Sequence, residues 1–116
     1  MTTIYHNPRC SKSRETLALL EEQKEDVTII KYLDTPITKD ILIELIDLLG
    51  IPPIDLVRKN ETIWKEKYKN EKLSDDEIIN AMLNHPKLIE RPIVVKGNKA
   101  ILGRPPQQVI TLIHIL

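Results

Sequence analysis

TTIYHNPRCSKSRETLALLEEQKEDVTIIKY, residues 2–32, changes its pattern repeatedly, and those changes decide the fold. Thr2 to His6 is short and β-prone. Asn7-Pro8 breaks it, because the residue before a proline is pushed away from helix and the proline itself brings no N–H to a ladder. From Ser11 the spacing turns helical, with Leu17, Ala18 and Leu20 on one side and Arg14, Glu15, Glu21 and Glu22 on the other, and the helix is expected to end near Gln23 to Glu25. Asp26 to Tyr32 is rich in β-branched residues and reads as a second strand, followed by turn material at Leu33-Asp34-Thr35-Pro36. The stretch is a β-α-β unit, and Cys10 sits where the first strand hands over to the helix.

Further along the chain, Thr38 caps a helix with apolar positions at Ile41, Leu42, Leu45, Ile46 and Leu49, and Gly50 with Pro52-Pro53 stops it. Ile54 to Arg58 is a shorter helical stretch, and the charged run Lys59 to Lys72 is expected to form short helices or loop. Ser74-Asp75-Asp76-Glu77 is a capping-box sequence that opens a helix through Ile78, Ile79, Met82 and Leu83 to Asn84, ended by His85-Pro86. Pro92 to Val95 and Ala100 to Leu102 flank Lys96-Gly97-Asn98-Lys99 and predict an antiparallel hairpin. Gly103-Arg104-Pro105-Pro106 starts a last helix, with proline in its first turn, running through Val109, Leu112 and Ile113. The order β-α-β, helices, β-β-α predicts an α/β fold with one mixed sheet of about four strands flanked by helices. It is the element order of thioredoxin-like folds, with a helical insertion over roughly 38–88, in a single domain spanning 1–116.

Composition narrows the function classes. A chain of 116 residues with 41% apolar and 29% charged residues is the size and make-up of one globular domain. Seventeen basic residues balance seventeen acidic ones, so no global field holds nucleic acid or an anionic membrane, and any bound anion needs a local cluster. No apolar run approaches the roughly 20 residues of a membrane span, and MTTIYHNPRC has no leader-like pattern. The cytoplasm is the expected address, and the even charge balance points to a monomer. With one Trp, three Tyr and no Phe, aliphatic residues fill the core and no platform exists for stacking bases. One cysteine excludes an internal disulfide and a four-thiolate zinc site. His6, His85 and His114 show no metal-ligand spacing, which leaves His85 and His114 structural or exposed.

At the start of a helix, unpaired N–H groups and the dipole favour an anion, so the Cys10 thiol is expected to titrate below a free thiol. Arg9, Lys12 and Arg14 add cations, and Ser11 and Ser13 add hydroxyl donors. A free cysteine is more often a packing residue, but these polar neighbours favour a nucleophile. Cys10 with Ser13 is Cys-x-x-Ser, which cannot form a dithiol couple, and the phosphatase spacing Cys-x5-Arg fails because residue 16 is Thr16. The chain has five arginines against twelve lysines, and Arg58, Arg91 and Arg104 fall at the ends of predicted elements. Arginine makes planar bidentate contacts to oxyanions, and a following proline holds Arg91 and Arg104 in extended backbone. The combination is a thiolate facing an oxyanion.

His6-Asn7-Pro8-Arg9-Cys10-Ser11-Lys12-Ser13-Arg14, the Tyr32-Leu33-Asp34-Thr35-Pro36 turn, Leu56-Val57-Arg58, Glu90-Arg91-Pro92-Ile93-Val94 and Gly103-Arg104-Pro105 together resemble the glutaredoxin-linked arsenate reductases, from residue 4 to about 109. The resemblance implies a thioredoxin-like fold with a helical insertion and catalysis by one cysteine with no bound cofactor. It implies that Cys10 attacks arsenate, that Arg58, Arg91 and Arg104 bind the oxyanion, and that glutathione and glutaredoxin supply the electrons. His6 matches a residue that tunes the cysteine, Pro92 matches the cis-proline of such folds, and Ser13 and Arg14 support the site. Two other readings compete: a thioredoxin-like regulatory or protein-binding module, and a monothiol glutathione-dependent oxidoreductase, which the three arginines fit least well.

Overall fold

A computed structural model describes residues 2–115, apart from the side chains of residues 114 and 115. The expectation for the His114 side chain lies outside the described residues. The elements are β1 (Thr2–Tyr5), α1 (Ser11–Glu22), β2 (Val27–Ile30), α2 (Lys39–Leu49), α3 (Thr62–Lys67), α4 (Asp75–Asn84), β3 (Ile93–Lys96), β4 (Lys99–Leu102) and α5 (Gln108–Ile115), with 3₁₀ turns at Pro53–Leu56 and Pro86–Leu88. They divide into two compact units, one made of residues 1–35 with 91–116 and the other of residues 36–90.

The first unit holds a mixed sheet in the order β2-β1-β3-β4. β1 and β2 run parallel, with Thr2 opposite Val27 and Tyr5 opposite Ile30, and a parallel pair needs the crossover that α1 provides. β3 lies antiparallel on the other side of β1, with Thr2 opposite Lys96 and Tyr5 opposite Ile93. β4 closes a hairpin on β3, Lys96 facing Lys99, and Gly97 supplies the positive φ of 61° that such a tight turn demands. Ile4 and Val94 from the central strands, Leu20 from α1, and Val109 and Leu112 from α5 form one buried cluster. α1 and α5 pack against each other, and α5 against β3 and β4. The carboxylate of Glu25 ties the sheet at its far end, accepting from Thr2 Oγ1 at 2.8 Å and from Lys96 Nζ at 2.7 Å. This is the four-stranded, helix-flanked thioredoxin-like α/β fold.

Two details of this unit differ from the sequence pattern. Ala18 is exposed, and the buried face of α1 is Ser13, Thr16 and Leu20. The apolar pattern misleads there because two hydroxyl residues go inward to hydrogen-bonding partners. The last helix begins at Gln108, and Pro105 and Pro106 form the turn before it, Pro105 O accepting from Gln108 N at 3.0 Å.

In the second unit, Thr38 caps α2 by accepting from Ile41 N at 3.3 Å, and Gly50 ends it in the left-handed region at φ 68°. Leu42, Leu45 and Ile46 are buried, while Ile41 is 38% exposed. Both bonds of the capping box form at the start of α4, where Ser74 N donates to Glu77 Oε1 at 3.0 Å and Glu77 N to Ser74 Oγ at 3.2 Å. α4 packs on α2 and on both 3₁₀ turns, and Val57 bridges antiparallel to Ile89.

Candidate active site

The chain leaves β1 with His6 N donating to Ile30 O at 2.8 Å, which carries the parallel pairing one residue past the strand. Asn7 then folds the loop on itself. Its carbonyl accepts from Cys10 N at 3.0 Å, its Oδ1 accepts from Arg9 N at 3.0 Å, and its own N–H donates to Ser13 Oγ at 3.1 Å. Cys10 is the N-cap of α1, extended at φ −96° and ψ 123°, and its carbonyl takes the first helical bond from Arg14 N at 3.0 Å. The half-buried thiol thus stands over the first turn, which contains no acidic residue.

Burial pushes the Cys10 thiol up, but opposing contributions outweigh it and the pKa falls below its ordinary value. The first is the Ser13 backbone N–H, the next is Arg91 by hydrogen bonding and by charge, and the last is the Lys12 backbone N–H. Cys10 makes no aligned side-chain capping bond, so the two amides act mainly as dipoles directed at the sulfur. The cation that matters is therefore Arg91, brought from the far end of the chain. The neighbours are engaged elsewhere: Arg14 Nη1 donates to Pro8 O at 2.9 Å, and Lys12 Nζ lies 3.9 Å from Glu15 Oε2.

Behind the loop, His6 is 4% exposed and its Nδ1 lies 2.6 Å from Ser13 Oγ. Burial first, then the positive charges of Lys31 and Arg14, push its pKa below the ordinary value, so the imidazole is neutral in neutral solution. Ser13 joins His6 to the Asn7 amide and fixes where α1 begins.

Arg91 and Arg104 belong to the same unit as Cys10. Arg91 Nε is buried with no hydrogen-bond partner among the described residues. A donor left unmatched costs about 1–3 kcal/mol, and an acceptor oxygen would satisfy it. Arg104 Nη1 donates to Arg91 O at 3.1 Å. The peptide bonds Arg91-Pro92 and Arg104-Pro105 are both cis. Gly103 lets these segments meet: its N–H donates to Pro92 O at 2.9 Å, and a Cβ there would lie 2.6 Å from Thr16 Oγ1 and 2.8 Å from Pro92 Cγ. Thr16 Oγ1 donates to Lys12 O at 2.8 Å and lies 3.4 Å from Gly103 O, which links α1 to the Arg104 turn.

Arg58 belongs to the other unit, where its Nη1 lies 3.1 Å from Glu61 Oε1 and its Nε 3.2 Å from Glu90 Oε1. Its amide donates to Leu88 O at 2.7 Å, beside the Val57–Ile89 bridge. Cys10, His6, Ser13, Arg14, Arg91, Pro92 and Arg104 thus fall in one unit, and Arg58 is held by two carboxylates in the second. Sequence reasoning did not single out Asn7, Thr16 or Gly103 as parts of this arrangement. Gly103 carried a signal, as a glycine before Arg-Pro, whereas Thr16 carried none, because its hydroxyl reads as part of a polar helix face.

Residues 5–112 match the ArsC family. A chain named arsenate reductase from Escherichia coli K12 is 44% identical over 96% of this chain and 79% of its own length. Another protein of that organism, named only as uncharacterized protein YfgD, is 46% identical over 95% of this chain and 94% of its own. The solved structure of an arsenate reductase from Vibrio cholerae superposes with a TM-score of 0.90 at 49% identity, covering 95% of both chains.

Proposed function

The chain belongs to the ArsC family, and from that membership we propose that it is an arsenate reductase working through the single thiol of Cys10. One observation carries the reading: Cys10 stands at the N-terminus of α1 with its pKa lowered by the Ser13 amide and Arg91, and Arg91 keeps an unmatched buried N–H. A lowered pKa supplies thiolate near neutrality, and the guanidinium N–H suits an oxygen of the tetrahedral anion.

In the first step the Cys10 thiolate attacks arsenic, a sulfur–arsenic bond forms, and one arsenate oxygen leaves as water after protonation. A glutathione thiolate then attacks the Cys10 sulfur. The sulfur–arsenic bond breaks with its electron pair passing to arsenic, which falls from the +5 to the +3 state and departs as arsenite. The two sulfurs are left as a mixed disulfide. Glutaredoxin takes the glutathione sulfur in thiol–disulfide exchange and returns Cys10 to its thiolate. Arg91 and Arg104 bind the oxyanion and offset the charge that builds on the five-coordinate arsenic. The resemblance gives Arg58 the same role, for which it keeps N–H donors not committed to Glu61 and Glu90. His6 and Ser13 act as positioning residues through the loop that ends in Cys10, Arg14 holds the Pro8 carbonyl, and Pro92 sets the backbone after Arg91. The reducing cytoplasm, where glutathione is abundant, is the compartment this cycle needs.

The test is NADPH consumption in a mixture of the protein, glutathione, glutaredoxin and glutathione reductase, with and without arsenate. Arsenate-dependent consumption that disappears in Cys10→Ser is expected. Consumption that is independent of arsenate, or that persists in Cys10→Ser, overturns the reading.

A further inference from the structure

A cleft of about 680 Å³ opens in the unit formed by residues 36–90, and no residue assigned to the thiol site lines it. Its volume falls within the roughly 300–1,000 Å³ of small-molecule sites. It arises in the charged segment after Arg58. Trp64 and Tyr68 stand one helical turn apart and stack, ring centroids 5.5 Å apart and planes inclined by 27°. Ile54, Leu73 and Ile78 add aliphatic walls. Tyr68 also meets His85 edge-on, ring centroids 6.1 Å apart.

The rim is cationic. Lys59, Lys65 and Lys69 border the cleft, and each is exposed. Lys65 lies in α3 and Lys69 in the turn just past its end, each next in the chain to one of the two aromatic residues. None of the three lysines forms an ion pair among the described residues, whereas Lys12, Lys39 and Lys96 each do. Glu71 and Asp75 also border the cleft and leave a balance of one positive charge.

We propose that this cleft is a binding site for a small organic anion with a flat aromatic body, the rings lying against Trp64 and Tyr68 and the anionic group meeting Lys65 and Lys69. The half-buried Tyr68, the exposed edge of the otherwise buried Trp64 and the aliphatic walls supply the contact area, and unpaired ammonium groups at the mouth select the charge. A purely aliphatic or neutral ligand would leave one of these two features unused.

The test uses 1-anilinonaphthalene-8-sulfonate on the native full-length chain, followed by quenching of Trp64, the single tryptophan. Saturable binding of one probe per chain is expected, weakened at least tenfold in the double variant Lys65→Glu, Lys69→Glu. Both lysines are exposed, so far-UV dichroism should be unchanged. N-phenyl-1-naphthylamine, which has the rings without the sulfonate, should bind the unaltered chain at least tenfold more weakly. Absence of saturable binding overturns the proposal. So does equal binding by the charge-reversed variant, or equal binding of the neutral probe.

Discussion

Cys10 owes its acidity to a contest that burial alone would lose, since desolvation favours the protonated thiol and the Ser13 amide and Arg91 reverse the outcome. Arg91→Gln keeps a hydrogen-bonding side chain and removes the charge, so the Cys10 pKa should rise. Alkylation by iodoacetamide, which reports thiolate, should show a midpoint below that of a free thiol in the unaltered protein and a higher one in the variant. An unchanged midpoint would assign the shift to the helix start alone. At this scale the sequence was informative about Cys10 itself, because Pro8 ends the strand and the helical period begins at the next residues. It was misleading about the source of charge. Arg9, Lys12 and Arg14 are nearest in the chain, yet Arg91 is the cation beside the sulfur, and no local pattern encodes a partner brought in by strand pairing.

Among the elements, α1 and the turn before α5 meet through Gly103. Gly103→Ala would place a methyl 2.6 Å from Thr16 Oγ1 and 2.8 Å from Pro92 Cγ. Overpacking of this kind costs about 1–3 kcal/mol, to be read as a lower urea midpoint, and Thr16→Ala in the same chain should recover part of it by clearing one side. The sheet makes a pH prediction. Hydrogen bonds from Lys96 and Thr2 hold the Glu25 carboxyl below its ordinary value. Its contribution to stability is therefore present above the unfolded carboxyl pKa and fades as pH falls through the lower folded value. Glu25→Gln should flatten that part of the stability–pH curve in acid and lower stability at neutral pH. The caps, the capping box and the β3–β4 hairpin were legible because each is written in adjacent residues. The inward Thr16 and the late start of α5 were not, since a hydroxyl satisfied across the fold and a proline turn mimic a polar face and a first helical turn.

For the whole molecule we propose one cooperative domain. The unit made of residues 36–90 falls in the size range where independent stability is marginal, and the other unit is built from both ends of the chain. A single urea transition is expected, with Trp64 fluorescence reporting one unit and amide exchange in β3 the other. An earlier transition at Trp64 would separate them. The strand order has a further consequence during synthesis. β1 is central, yet Thr2 pairs with Lys96 and Tyr5 with Ile93, on a strand translated long after it. Until that strand leaves the ribosome, the emerging β1-α1-β2 segment exposes one side of its central strand to neighbouring chains. The nascent segment carries Cys10 before Arg91 exists to charge it, so the nucleophile is assembled only as the final strands are delivered.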